Sequence, residues 1–144
     1  MENDTLNLLR ECNSGIQMGV SSIDSVLPYV KSESLKKVLN ACKDEHATLG
    51  DETHKMLLQY ESETKEPHPI AKMMSKMKTK TMVTFNKTDS SIADIMTDGC
   101  NMGIKSLNKY MNKYNTAKTD AKSIANRLIC IEQNLVNEMK PFLT

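Results

Sequence analysis

The chain has 144 residues, enough to bury the core of one ordinary domain without disulfide or metal staples. Hydrophobic residues make up 39% of it and charged residues 26%, with only five glycines and four prolines, which excludes a collagen-like chain, a disordered low-complexity chain and a turn-rich all-β fold. Nineteen basic against eighteen acidic residues leave a net charge of +1, so no whole-molecule field draws in nucleic acid or an anionic membrane.

The first predicted helix covers residues 4–27, where Leu6, Leu9, Ile16, Val20, Ile23 and Leu27 recur at spacings of three and four and Asn13 fills the gap in the register. Pro28 opens a short connection, and Ser32 is placed to cap a second helix carrying Leu35, Val38, Leu39, Cys42, His46, Leu49, Met56, Leu57 and Tyr60 to about Thr64. Gly50 lies inside that helix and lowers its propensity by about 1 kcal/mol relative to Ala, so a bend near Gly50–Asp51 is expected. Pro67-His68-Pro69 stops the helix, because proline lacks an amide proton and drives the preceding residue out of helical geometry. A basic amphipathic crossover helix follows over about 69–86, with Ile70, Met73, Met74 and Met77 along one stripe. Thr88-Asp89-Ser90 offers caps for a helix carrying Ile92, Ile95, Met96, Gly99, Met102, Gly103, Leu107, Tyr110 and Met111. After a break at Asn115-Thr116, the last helix runs through Ile124, Leu128, Ile131 and Leu135 to near Pro141. Eleven methionines against four Tyr, two Phe and no Trp predict a core filled by flexible thioethers instead of stacked rings.

The first and third helices contain one motif twice. Gly15-Ile-Gln-Met-Gly-Val-Ser-Ser-Ile returns as Gly99-Cys-Asn-Met-Gly-Ile-Lys-Ser-Leu at an offset of 84 residues, with Gly, Met, Gly and Ser matching in place. Each copy precedes a short connection and another amphipathic helix, so the chain reads as two copies of one helical hairpin, at 4–64 and 89–142, in a single domain spanning 1–144. The paired glycines weaken the helices, and close helix–helix approach is the expected compensation. Length arithmetic selects the connectivity. One helix from Pro69 to Tyr114 would reach about 69 Å at ~1.5 Å per residue, against about 36 to 38 Å for the first and last helices. A crossover that returns the chain along the bundle, with the hairpins related by a pseudo-twofold, is therefore expected, the alternative being an up-down-up-down bundle with the basic segment folded as an appendage.

In this layout the chain resembles the ferritin-like superfamily, and within it small bacterial four-helix-bundle proteins built from two hairpins and a short crossover helix. The resemblance implies an all-α, ferritin-like four-helix bundle over about residues 4–142. Di-iron members of that superfamily carry Glu on two helices and Glu-x-x-His on the other two, since two hard cations need bridging carboxylates. This chain departs from the pattern. Gln17 and Asn101 are expected at the inward duplicated positions, no Glu-x-x-His occurs, and Asp51-Glu-Thr-His54 supplies only Asp at that spacing. The expectation is thus a degenerate site, with no metal and no cofactor as the first choice.

The alternative is a metal-binding or redox bundle holding a single transition metal ion with ligands drawn from Cys42, Glu45, His46, Cys100 and Glu132, where Cys42 and His46 are one helical turn apart. Cys12, Cys42, Cys100 and Cys130 show no Cys-x-x-Cys pairing and are expected to be reduced, buried small hydrophobes. His54 and His68 are expected on the outside. With no Gly-rich phosphate loop and no nucleophile elbow, no catalytic residue is assigned. An interaction surface is expected at Lys72, Met73, Met74, Lys76, Met77 and Lys80, serving a homo-oligomer or a protein partner, since arginine and interleaved aromatics for nucleic acid are missing there. No apolar run approaches the ~20 residues of a membrane span, and Met1 to Arg10 lacks a signal-peptide pattern, so a cytoplasmic location is expected. The functional expectation is a non-catalytic structural or protein-interaction module.

Overall fold

The computed structural model describes residues 2–64 and 86–144. The basic crossover segment, with Lys72, Met73, Met74, Lys76, Met77 and Lys80, and His68 before it, lie outside the described residues. Among the described residues there is no strand, and four α-helices form the molecule: α1 (Glu2–Val26), α2 (Glu33–Thr64), α3 (Asp89–Lys113) and α4 (Thr119–Met139).

The helix boundaries follow local chemistry. The Leu35 amide donates to Ser32 Oγ at 3.2 Å at the start of α2, and the Ser91 amide donates to Thr88 Oγ1 at 3.1 Å at the start of α3, so both side chains satisfy donors that the first helical turn leaves open. Pro28 and Pro141 each sit in a single 3-10 turn, Leu27–Tyr29 after α1 and Lys140–Phe142 after α4, where the missing amide proton ends the α-helical ladder. Helix α2 is one continuous α-helix through Gly50. A Cβ there would stand 3.1 Å from Ile16 Cγ2, so this glycine seats an α1 side chain.

Hydrogen bonds at the two ends set the helix directions. At one end Asp89, starting α3, accepts from the Lys31 and Ser32 amides at 2.9 Å each, just before α2. At the other, Asp4 near the start of α1 accepts from the Thr116 amide at 3.2 Å and its hydroxyl at 2.6 Å, and Thr5 Oγ1 accepts from the Lys118 amide at 2.9 Å. Each hairpin's entry helix thus clasps the other hairpin's turn, as a twofold across the bundle requires. Tyr60, late in α2, donates to Asp120 at 3.0 Å at that same end. Helices α1 and α4 therefore run one way, α2 and α3 the other, and the end of α2 lies at the opposite end of the bundle from the start of α3.

Packing is most extensive within the hairpins, α1 on α2 and α3 on α4, with α2 on α4 and α1 on both α3 and α4 joining them. Two hydrophobic clusters fill the interior. Leu6, Leu9, Cys12, Leu57, Leu107 and Leu128 belong to one, and Ile23, Val26, Leu35, Leu39, Ile92 and Met139 to the other. The largest fully buried side chains are all Leu or Ile, each contributing roughly 1.5–3 kcal/mol on burial. Of the methionines expected to fill the core, and among the described residues, Met96 and Met139 are buried and Met56 and Met111 pack against the core, but Met18 and Met102 stand 43% and 69% exposed. Cys130 is likewise exposed, while Cys12, Cys42 and Cys100 are buried as expected.

Candidate functional site: a cleft built from the duplicated motif

The repeat identified in the sequence converges on one place. Gly15, Met18, Gly19 and Ser22 of α1 and Gly99, Met102, Gly103 and Ser106 of α3 all line a single cavity of about 300 Å³ between these two helices. Antiparallel packing about the pseudo-twofold makes the two copies face each other across the opening. The two exposed methionines sit at this cavity, and Met96, Leu107 and Leu135 supply further apolar surface.

The glycines were expected to allow close helix–helix approach, and what stands opposite two of them is a polar side chain. A Cβ on Gly19 would lie 2.5 Å from His46 Nε2 and 2.7 Å from its Cδ2, and one on Gly103 would press into the Glu132 carboxylate. Gly19 and Gly103 therefore make room for a polar side chain arriving from the second helix of each hairpin. Gly99 meets nothing within 4 Å, so it keeps the cavity open. His46 and Glu132 are structural counterparts: each lies 13 residues past the first residue of its helix, Glu33 or Thr119, and faces the second glycine of the motif copy in its own hairpin.

His46 is 2% exposed. Its Nδ1 lies 2.8 Å from the Cys42 carbonyl oxygen. A carbonyl can only accept, so Nδ1 carries the proton and Nε2 is left as the acceptor. Burial holds the imidazole below its ordinary pKa, which keeps it neutral. Nδ1 also lies 3.6 Å from Cys42 Sγ. Glu132 is partly buried, and desolvation alone pushes its carboxyl up to about 7. Glu11 is the second acid at the cavity, and among the described lining residues there is no lysine or arginine.

The five candidate ligands separate. Cys42, His46, Cys100 and Glu132 lie in the middle of the bundle, close enough for Glu132 to add to the raised pKa of both thiols. Burial is the larger cause, and it pushes each thiol up to about 12, so neither is a thiolate at neutral pH. Glu45 is exposed in a shallow groove beside Arg127 and Cys130, away from His46, because adjacent residues on a helix diverge by about 100°. Among the described residues, no three His, Cys, Asp or Glu side chains come together as a set that could hold a metal ion.

The amides expected at the centre are also displaced. Asn101 is exposed, and Gln17 lines an outer groove between α1 and α2 with Asn13 and His54. The residues that reach inward at this level are Cys100 and Ile16, one position earlier in each copy. His54 is exposed, as expected. Ser22 and Ser106, the matching serines of the motif, line the cavity together with Ser14, which lies just outside the motif and was not singled out in the sequence. Comparison with known protein families, with curated proteins and with solved structures finds no match.

Proposed function

We propose that this chain is a non-catalytic bundle of ferritin-like topology that acts by binding a small ligand in the cleft between α1 and α3. The observation that carries this reading is the convergence of all eight matching positions of the duplicated motif on one cavity. A repeat kept only for helix packing would spend its glycines on bringing helix axes together. Here Gly99 opens onto free space, and Gly19 and Gly103 admit His46 and Glu132. An apolar cavity with a few convergent polar groups is the usual form of a small-molecule site, and about 300 Å³ is at the small end of that class. The order of helix directions and the reciprocal clasps by Asp4 and Asp89 support the ferritin-like part of the reading. Non-catalytic action is supported by the chemistry of the buried thiols, which are held protonated, and by the commitment of His46 Nδ1 to a backbone carbonyl.

The test is a fragment screen followed through the methyl resonances of ¹³C-methionine-labelled protein. Binders are expected to shift Met18 and Met102. Gly99→Leu, whose Cβ would enter space with nothing within 4 Å, is expected to keep the helical circular dichroism and to weaken binding at least tenfold. Fragments that shift other methyls only, or that bind Gly99→Leu undiminished, refute the reading.

A further inference from the structure

We infer that the cleft selects an organic cation, an ammonium group on an apolar body, with the ammonium received by Glu132 and His46 Nε2 and the body held between Met18 and Met102. This rests on the cleft being the binding site and adds the chemical class of what it takes. Three observations converge on it. The first is charge: two carboxylates, Glu11 and Glu132, border the cavity without a lysine or arginine among its described lining residues, in a chain with slightly more basic than acidic residues. An anionic ligand would meet only like charge there.

The second is hydrogen-bonding polarity. His46 lines the cavity, its Nδ1 is committed to the Cys42 carbonyl, and Nε2, which lies against Gly19, is left as the acceptor of the ring. An acceptor at the cavity is matched by a ligand that brings N–H groups and not by one that brings only acceptors. An ammonium carries three donors, enough for Nε2, the Glu132 carboxylate and a serine hydroxyl. The third is size and surface. A cavity of about 300 Å³ is far too large for a bare ion, and Met18, Met102, Leu107 and Leu135 offer polarizable and aliphatic contact for a hydrocarbon body. Burial keeps the free Glu132 carboxyl near neutrality in pH, and a neighbouring cation favours its ionised form.

The experiment compares three probes of one shape on the full chain by isothermal titration calorimetry and by the Met18 and Met102 methyl shifts: 2-phenylethylammonium, 2-phenylethanol and phenylacetate. The ammonium is expected to bind at least tenfold tighter than the alcohol, and phenylacetate not to saturate. Glu132→Gln, which keeps the side-chain shape, is expected to bring the ammonium down to the level of the alcohol and to leave the alcohol unchanged. Equal binding of ammonium and alcohol by the unaltered protein, preference for phenylacetate, or no effect of Glu132→Gln overturns the inference while leaving the cleft as a binding site. Binding that bypasses both methionine methyls, or the absence of binding by all three probes, overturns the cation assignment as well; the Gly99→Leu comparison then decides the fate of the cleft itself.

Discussion

Replacing Glu132 by Gln removes one titrating proton from the middle of the bundle and leaves the side-chain shape in place. In the fold this carboxyl has a pKa of about 7, against an ordinary value of 4.5. Each pH unit of difference is worth about 1.36 kcal/mol, so the buried acid costs the folded state about 3 kcal/mol above neutrality, reduced toward ~2 where water enters the cleft. The sign follows from proton counting. Below about pH 4.5 both states hold the proton and the group contributes nothing. Between about 4.5 and 7 the unfolded chain has released it and the fold still holds it, so stability falls as pH rises, and it levels off above 7. His46 works the other way, since its lowered pKa costs stability as pH falls below its ordinary 6.5, but it is present in both proteins and cancels in the difference. The Cys42 and Cys100 thiols, at about 12, stay protonated throughout. Urea unfolding of the two proteins from pH 4.5 to 8.5 is the assay. Glu132→Gln should match the unaltered chain at the acid end and exceed it above pH 7, its midpoint higher by roughly 1–1.5 M for a slope of about 2 kcal/mol/M. A stability difference that stays flat with pH, or a Gln variant less stable at pH 8, refutes the assignment of Glu132 as a desolvated acid.

The two duplicated glycines should respond unequally to the same substitution. Gly19→Ala drives a Cβ against an imidazole pinned by its bond to the Cys42 carbonyl, and a loss of about 1–3 kcal/mol is expected; Gly103→Ala meets the free end of a flexible carboxylate that can swing into the cleft, and should stay within about 1 kcal/mol of neutral, as urea midpoints would report. Asn13 is 2% exposed with its Nδ2 buried and unbonded, so Asn13→Leu, equal in heavy atoms, should raise stability by about 1 kcal/mol in the same assay. Asp89→Ala removes the acceptor shared by the Lys31 and Ser32 amides and should cost about 1–2 kcal/mol, with faster amide hydrogen exchange at those two residues and unchanged exchange at Thr116 and Lys118.

What the sequence determined by itself is the local chemistry and the repetition. The caps at Ser32 and Thr88, the stops at Pro28 and Pro141, and the apolar periods of four helices all act through contacts within one or two turns, so each could be read without knowing its neighbours. The duplicated Gly-Met-Gly-Ser motif was equally visible, because identity at a constant offset needs no structure. Its meaning was not. Whether a glycine serves axis contact or admits a side chain from another helix depends on what stands opposite, and only the packing of α2 and α4 brought His46 over Gly19 and Glu132 over Gly103. Tertiary structure also decided rotational phase. A wide apolar arc tolerates a shift of one residue, about 100° of helix, and that shift put Cys100 and Ile16 inside while Asn101 went to solvent and Gln17 to an outer groove. Hydrophobicity alone could not separate buried from exposed methionine, since Met18 and Met102 share the apolar character of Met96 yet border an opening that no helix among the described residues covers.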